Sequence, residues 1–261
     1  MSEKSRGIIA FAHNTPEIDY ISIAHKTLGI ASQFLKLPYT LITDDIEDAS
    51  WTNTRYDIDS EKFVEWRNGG RHHAYNLSPY DETIAIDVDY LVMNDSLLKI
   101  FETEWDYLLK RSAISVSGKV LADTMGPHSL PFVWATVFAF RKTAVSNLYF
   151  ELVDRIKRNY SYYRELFNID QRNYRNDFSF AIADIIMRGY CVDTDSIPGN
   201  MVVADEPIYN LEFIGPRQKL LIVRGENTHI IPRTNLHIMS KRYLMSKEFD
   251  KFLEELKRAP A

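Results

Sequence analysis

A chain of 261 residues, 45% hydrophobic and 26% charged, can bury a substantial core, and its net charge of −5 argues against wholesale nucleic-acid binding. A single cysteine, Cys191, excludes an internal disulfide and suits a reducing compartment. No run reaches transmembrane length and MSEKSRG carries no apolar segment, so a cytoplasmic protein without a membrane partner is expected. The charge is uneven: residues 1–110 carry a net −9 and residues 111–261 a net +4.

Gly7–Ala12 is short and continuously apolar, as strands of parallel sheets tend to be. A turn follows at His13-Asn14-Thr15-Pro16, with Pro16 in an early-helix place. Ile21, Ala24, Leu28, Ala31 and Leu35 then repeat at helical spacing, predicting a helix from Ile18 to Leu35. Tyr39–Thr43 is a second strand, ending at Asp44-Asp45. Strand, helix and strand make a βαβ unit, and ligands of open α/β sheets sit beyond the carboxyl ends of the strands. Phe11, Ala12 and Asn14 lie at such an end.

Residues 46–60 read as a polar loop, and Glu61–Arg67 as a short helix that Gly69-Gly70 breaks. Arg71-His72-His73 follows, with adjacent imidazoles expected to diverge. Glu82–Ile86 is an apolar strand running into Asp87-Val88-Asp89. On a strand, residues two apart share a face, so two carboxylates would converge there. Hard divalent cations take such oxygens and bridge them to phosphates. Asn94-Asp95-Ser96 looks like a cap for a helix over Leu97–Leu109. Ile114–Leu121 reads as a strand, and Gly126-Pro127 as a turn.

Phe132–Phe140 is the most hydrophobic window and reads as a buried strand. Thr143 can cap a helix through Ala144, Leu148, Leu152 and Ile156. The next stretch interleaves six basic residues (Arg155, Lys157, Arg158, Arg164, Arg172 and Arg175) with Tyr160, Tyr162, Tyr163 and Tyr174. Such a pattern can hold phosphates and stack bases, or can cover apolar surface with arginine stems. Asp177 stands at the head of an apolar helix running to Arg188 and closed by Gly189, in a place suited to an N-cap. Leu220–Val223 and Asn227–Ile231 are strand candidates, and Ser246–Arg258 forms a last amphipathic helix.

The stretch IDVDYLVMNDSL resembles the Asp-x-Asp motif of GT-A-fold glycosyltransferases, and the order of the remaining pieces is similar to theirs. The resemblance implies one α/β, Rossmann-type domain over residues 1–261 with a mostly parallel central sheet. Residues 1–125 would form the nucleotide-sugar half, 126–245 the acceptor side and 246–261 the C-terminal helix. It implies Mn²⁺ or Mg²⁺ as cofactor and a nucleotide sugar, UDP-linked, as donor. Asp87 would face the ribose and join Asp89 at the metal; Arg71 would touch the donor. His237 would close the metal site, with His229 the weaker competitor, and Lys241 would meet the diphosphate. Asp177 would face the acceptor or the anomeric carbon as the catalytic carboxylate.

At a more general level the chain is similar to phage enzymes that glycosylate hydroxymethylated cytosine in DNA. That likeness implies a host-cell cytoplasmic location and phosphate contacts from the six basic residues. Saccharide- or protein-directed transfer is the alternative acceptor reading. A haloacid-dehalogenase-type phosphatase, which also places Asp-x-Asp after an apolar strand, and a non-catalytic nucleotide-binding module are the readings from other classes.

Overall fold

A computed structural model describes residues 4–43, 53–57, 62–66, 69–190, 196–199, 201–204, 208, 210–215, 219–224 and 226–258. Asp44-Asp45 and Cys191 lie outside the described residues. In chain order the first half runs β1 (Arg6–Phe11), α1 (Tyr20–Leu35), β2 (Tyr39–Ile42), β3 (Asn53–Asp57), β4 (Lys62–Trp66), α2 (Ala74–Leu77), β5 (Glu82–Ile86), β6 (Tyr90–Leu91), β7 (Tyr107–Lys110), β8 (Ala113–Ser115), β9 (Thr124–Met125) and β10 (Leu130–Pro131). The second half runs β11 (Trp134–Arg141), α3 (Ala144–Arg158), α4 (Tyr160–Leu166), α5 (Asn176–Met187), β12 (Met201–Ala204), β13 (Asn210–Ile214), β14 (Lys219–Arg224), β15 (Asn227–Pro232), β16 (Leu236–Ile238), α6 (Lys241–Leu244) and α7 (Lys247–Lys257).

The central sheet has the order β2-β1-β5-β11-β7. β1 pairs parallel with β2 and with β5, while β11 runs antiparallel to both β5 and β7. Four of its five strands therefore point one way, and the expected mostly parallel α/β sheet is present. Alternation along each strand divides the core between the two faces. Ile8, Ile84 and Ile86 join the cluster that contains Leu28 of α1 and Phe249 of α7. Ile9, Ala85 and Phe138 join the opposite cluster with Tyr149 of α3 and Phe180 of α5. Gly7 is required on β1, because a Cβ there would lie 2.3 Å from the ring of Tyr80.

A second sheet, β6-β16-β12-β8, carries the returning chain. β16 pairs antiparallel with β6, with His237 opposite Tyr90. That pairing places the C-terminal histidine beside the residue that follows Asp89.

Several local expectations change. The helix predicted over Leu97–Leu109 is a 3₁₀ turn at Ser96–Glu102 followed by strand β7. Tyr107-Leu108-Leu109-Lys110 is buried throughout and pairs along β11, so a free sheet edge overrides a window whose periodicity was helical. Glu61–Arg67 is not a helix: β4 occupies Lys62–Trp66 and pairs antiparallel with β3, inside what read as a loop. Phe63, Val64 and Trp66 are strand formers, and a window this short does not separate the two periods. The strand at Ile114 stops at Ser115, and the chain folds back so that Ile114 bridges Val120. α1 begins only at Tyr20, capped by Asp19, whose Oδ1 accepts the Ser22 N–H at 2.9 Å; Pro16 precedes the helix.

Candidate metal and nucleotide site

β5 ends at Ile86, so Asp87-Val88-Asp89 is a turn and not the last residues of a strand. The two carboxylates do converge, but through backbone bonds that fix the turn and not through strand alternation. The Asp87 N–H donates to Thr136 O on β11 (2.9 Å), and the Tyr90 N–H donates back to Asp87 O (3.0 Å). The Ile238 N–H on β16 donates to Asp89 O (2.9 Å). The Val88 carbonyl accepts from the hydroxyl of Thr27, fully buried on α1, at 2.8 Å. Thr27→Val keeps the shape and leaves that carbonyl without this donor, so a loss of roughly 1–3 kcal/mol in stability is expected. Thr27→Ser should recover most of it; equal melting temperatures for wild type and Thr27→Val would contradict the role.

Three side chains close on the turn. His237 Nε2 lies 3.3 Å from Asp89 Oδ1, and Lys241 Nζ pairs with Asp89 Oδ2. Arg71, on a 3₁₀ turn spanning Gly69–His73, pairs with Asp87 Oδ1. Burial pushes the Asp87 carboxyl up to about 6, the Arg71 charge offsetting it only in part. Burial would raise Asp89 as well, but Lys241 and then His237 outweigh it and hold Asp89 well below the usual carboxylate range. Lys241 loses solvation too, yet the Asp89 charge more than compensates and raises its pKa.

Asp87, Asp89 and His237 each offer a ligand atom, all within 4.8 Å of one another. Two carboxylates and an imidazole are a donor set that Mn²⁺ or Mg²⁺ accepts. Asp89 Oδ1 is buried and makes no well-formed hydrogen bond, since the nearby imidazole is not aligned with it. A cation in reach would satisfy that oxygen, so the residues fit the group. His229 is excluded from the set: it sits on β15 opposite Ile222, in a separate three-stranded sheet.

The cluster opens into a cavity of about 540 Å³, within the roughly 300–1,000 Å³ usual for small-molecule sites. Phe11, Ala12, Arg71, Asp87, Asp89, Asp177, His237 and Lys241 all line it. Asn14 is not among the lining residues; its Oδ1 accepts the Ile21 N–H at 3.0 Å and steadies the start of α1. Of the six basic residues, only Arg172 and Arg175 reach the wall. Arg155 and Arg158 are exposed on α3, Arg158 pairing with Asp154, and Arg164 donates to Ile169 O at 3.1 Å. Lys157 lies 5.9 Å from the Tyr174 ring centroid. The imidazoles of His72 and His73 do not diverge, having centroids 3.9 Å apart, but they lie off the cavity wall.

Asp177 does not cap α5. Its Oδ1 accepts the Ala135 N–H at 3.0 Å, and its Oδ2 accepts from Arg175 at 2.7 and 3.1 Å. It therefore joins the start of β11 to the wall segment and remains mostly covered. Residues missed by sequence reasoning include Tyr20, Trp134, Thr136, Gln171, Asn173 and Asn176. Trp134 and Thr136 face the carboxylates because β11 is antiparallel to β5, which sets its first residues beside the end of β5. An isolated hydrophobic window carries no sign of strand direction.

No protein-family model and no curated protein matches the sequence. Among solved structures, the apo form of the glycosyltransferase GlyE from Streptococcus pneumoniae aligns with 75% of this chain at 12% identity and a TM-score of 0.38. The galactosyltransferase LgtC, solved with donor and acceptor sugar analogues, aligns with 69% at 14% identity and a TM-score of 0.40. A 4-diphosphocytidyl-2C-methyl-D-erythritol synthase from Anaerococcus prevotii aligns with 71% at 13% identity and a TM-score of 0.32. This chain spans 46% of the length of GlyE, 70% of LgtC and 99% of the synthase.

Proposed function

We propose that this chain is a metal-dependent glycosyltransferase of the GT-A kind that moves a sugar from a nucleotide sugar, UDP-linked, to an acceptor. The observation that carries the reading is the meeting of Asp87, Asp89 and His237 with Arg71 and Lys241 at one end of a nucleotide-sized cavity. Asp87, Asp89 and His237 would hold Mn²⁺ or Mg²⁺, and a cation bound there supplies charge compensation for the leaving diphosphate. Lys241 and Arg71 add fixed positive charge on the same side. Phe11 and Ala12, at the end of β1, form the wall against which a nucleoside would lie. Asp177, which lines the same cavity, is the carboxylate assigned to the acceptor or the reacting carbon. Incubation with UDP-sugars and Mn²⁺ should yield slow release of free sugar even without acceptor. No turnover and no binding with any nucleotide sugar would refute the reading.

The acceptor reading for hydroxymethylated cytosine in DNA rests on one feature, the exposed guanidinium of Arg172 beside Arg175 at the cavity wall. The dispersal of the other four basic residues over α3 and α4 supports a smaller phosphate footprint than six. If DNA is the acceptor, affinity should fall with salt at a log–log slope near −0.9 per phosphate neutralised. Replacing Arg172 and Arg175 together by Ala should flatten that slope by roughly two units. Salt-insensitive transfer would favour a saccharide or protein acceptor. Among the described residues no helix is long and apolar enough to cross a membrane.

A further inference from the structure

The charges at the carboxylate turn balance without any ligand. Asp87 is paired with Arg71 and Asp89 with Lys241, and the four side chains are only 10–18% exposed. The remaining charged pair on the wall, Arg175 with Asp177, is neutral in itself. Arg172 is exposed at the rim. Two protein cations therefore each hold one oxygen of the carboxylates whose charge a divalent ion would claim, Asp87 Oδ1 and Asp89 Oδ2. A divalent ion alone would bring the cluster to a net +2, and a nucleotide diphosphate sugar alone would bring it to a net −2. Both together restore zero. Unbalanced charge costs most where water is excluded, so neither ligand is well accommodated by itself.

We infer that Lys241 and Arg71 are exchangeable counter-ions: they compete with the metal for Asp89 and Asp87, and on its arrival are released to the diphosphate, so that metal and nucleotide enter as one neutral unit. The inference rests on the metal and nucleotide reading of the site and adds the coupling between the two ligands. Coupling of this kind is reciprocal: each ligand tightens the other by the same factor. It also assigns Lys241 opposite effects on the two, which a residue that only contacts phosphate would not show.

The test uses Mn²⁺ and UDP as probes, with no sugar transfer. Mn²⁺ affinity would be followed by electron paramagnetic resonance or calorimetry, with and without UDP. In the wild type, saturating UDP should tighten Mn²⁺ binding by about 10–100-fold. In Lys241→Gln, Mn²⁺ alone should bind about tenfold more tightly, UDP with Mn²⁺ more weakly, and the coupling factor should shrink. Arg71→Gln should behave likewise and guards against a Lys241 variant that fails to fold. Lys241→Arg, which keeps the charge, should stay near the wild type. Unchanged or weaker Mn²⁺ binding in both Gln variants would overturn the exchange while leaving the metal site standing. Absence of Mn²⁺ and UDP binding to the wild type would overturn the exchange and the site together.

Discussion

Asp89→Asn is expected to lower kcat by about 10³ or more, equivalent to roughly 4 kcal/mol of lost transition-state stabilisation. The substitution keeps the volume and removes the charge that both His237 and Lys241 face. The Asp89 carbonyl still receives the Ile238 N–H, so the turn itself should persist. Lys241 loses its ion pair but keeps its bond to Met239 O (3.1 Å). The stability cost should therefore be about 1–3 kcal/mol, a fall of a few degrees in Tm. Full activity in Asp89→Asn, or in the presence of EDTA, would end the metal reading. The pH dependence has a definite sign. In the metal-free protein Asp87 titrates at about 6, above its value in the unfolded chain. Between about pH 4 and 6 the folded state then binds more protons, so this contribution to stability is present below pH 4 and lost as pH rises through 6. Asp89 is held low and acts oppositely: its contribution is present above about pH 4 and is lost only as pH falls through its depressed value. A cation needs both groups ionised, so the rise in Tm produced by Mn²⁺ should be small at pH 5 and reach its plateau above about pH 7.

Asp177→Ala is expected to reduce kcat by about 10²–10³ while changing donor affinity by less than about threefold. The difficulty is that this carboxylate also anchors the Ala135 N–H and holds Arg175, so Ala disturbs the wall as well as any chemistry. Asp177→Asn separates the two roles. Its amide oxygen can still accept from Ala135, whereas the charge is gone. If the carboxylate acts at the acceptor or the reacting carbon, Asn should be nearly as inactive as Ala and more stable than it. If Asp177 only fastens β11 to the wall, Asn should restore most of kcat along with Tm.

Elements whose apolar pattern was long or closed by a distinct signal were legible from residues alone. α1 shows this, with Ala24, Leu28, Ala31 and Leu35 all buried at the spacing that suggested the helix. So does α3, where Thr143 accepts the Ser146 N–H as a cap, and α5, which ends at Met187 and is followed two residues on by Gly189 at φ 61°. β7 was not legible, because Tyr107–Lys110 becomes a strand only when β11 offers it a partner. The candidate site was legible as a set of residue types but not as a geometry. Asp87 and Asp89 meet through a turn, and the bonds that shape it come from Thr27, Thr136 and Ile238, none of which any local motif announces. The aromatic-basic segment stands out by its charge, yet only Tyr160 and its last part, Gln171–Asp177, form cavity wall.

The three tethers of the Asp87–Asp89 turn arise from α1, β11 and β16, elements drawn from the beginning, the middle and the end of the chain. Such a turn has no independent existence: its carboxylates are aimed only once the C-terminal strand has docked. Amide hydrogen exchange should report this. The Ile238 N–H, bonded to Asp89 O inside the second sheet, should exchange by global opening and not by local fraying, at a free energy equal to that of full unfolding. The carboxylate end of this molecule would then share the stability of its core.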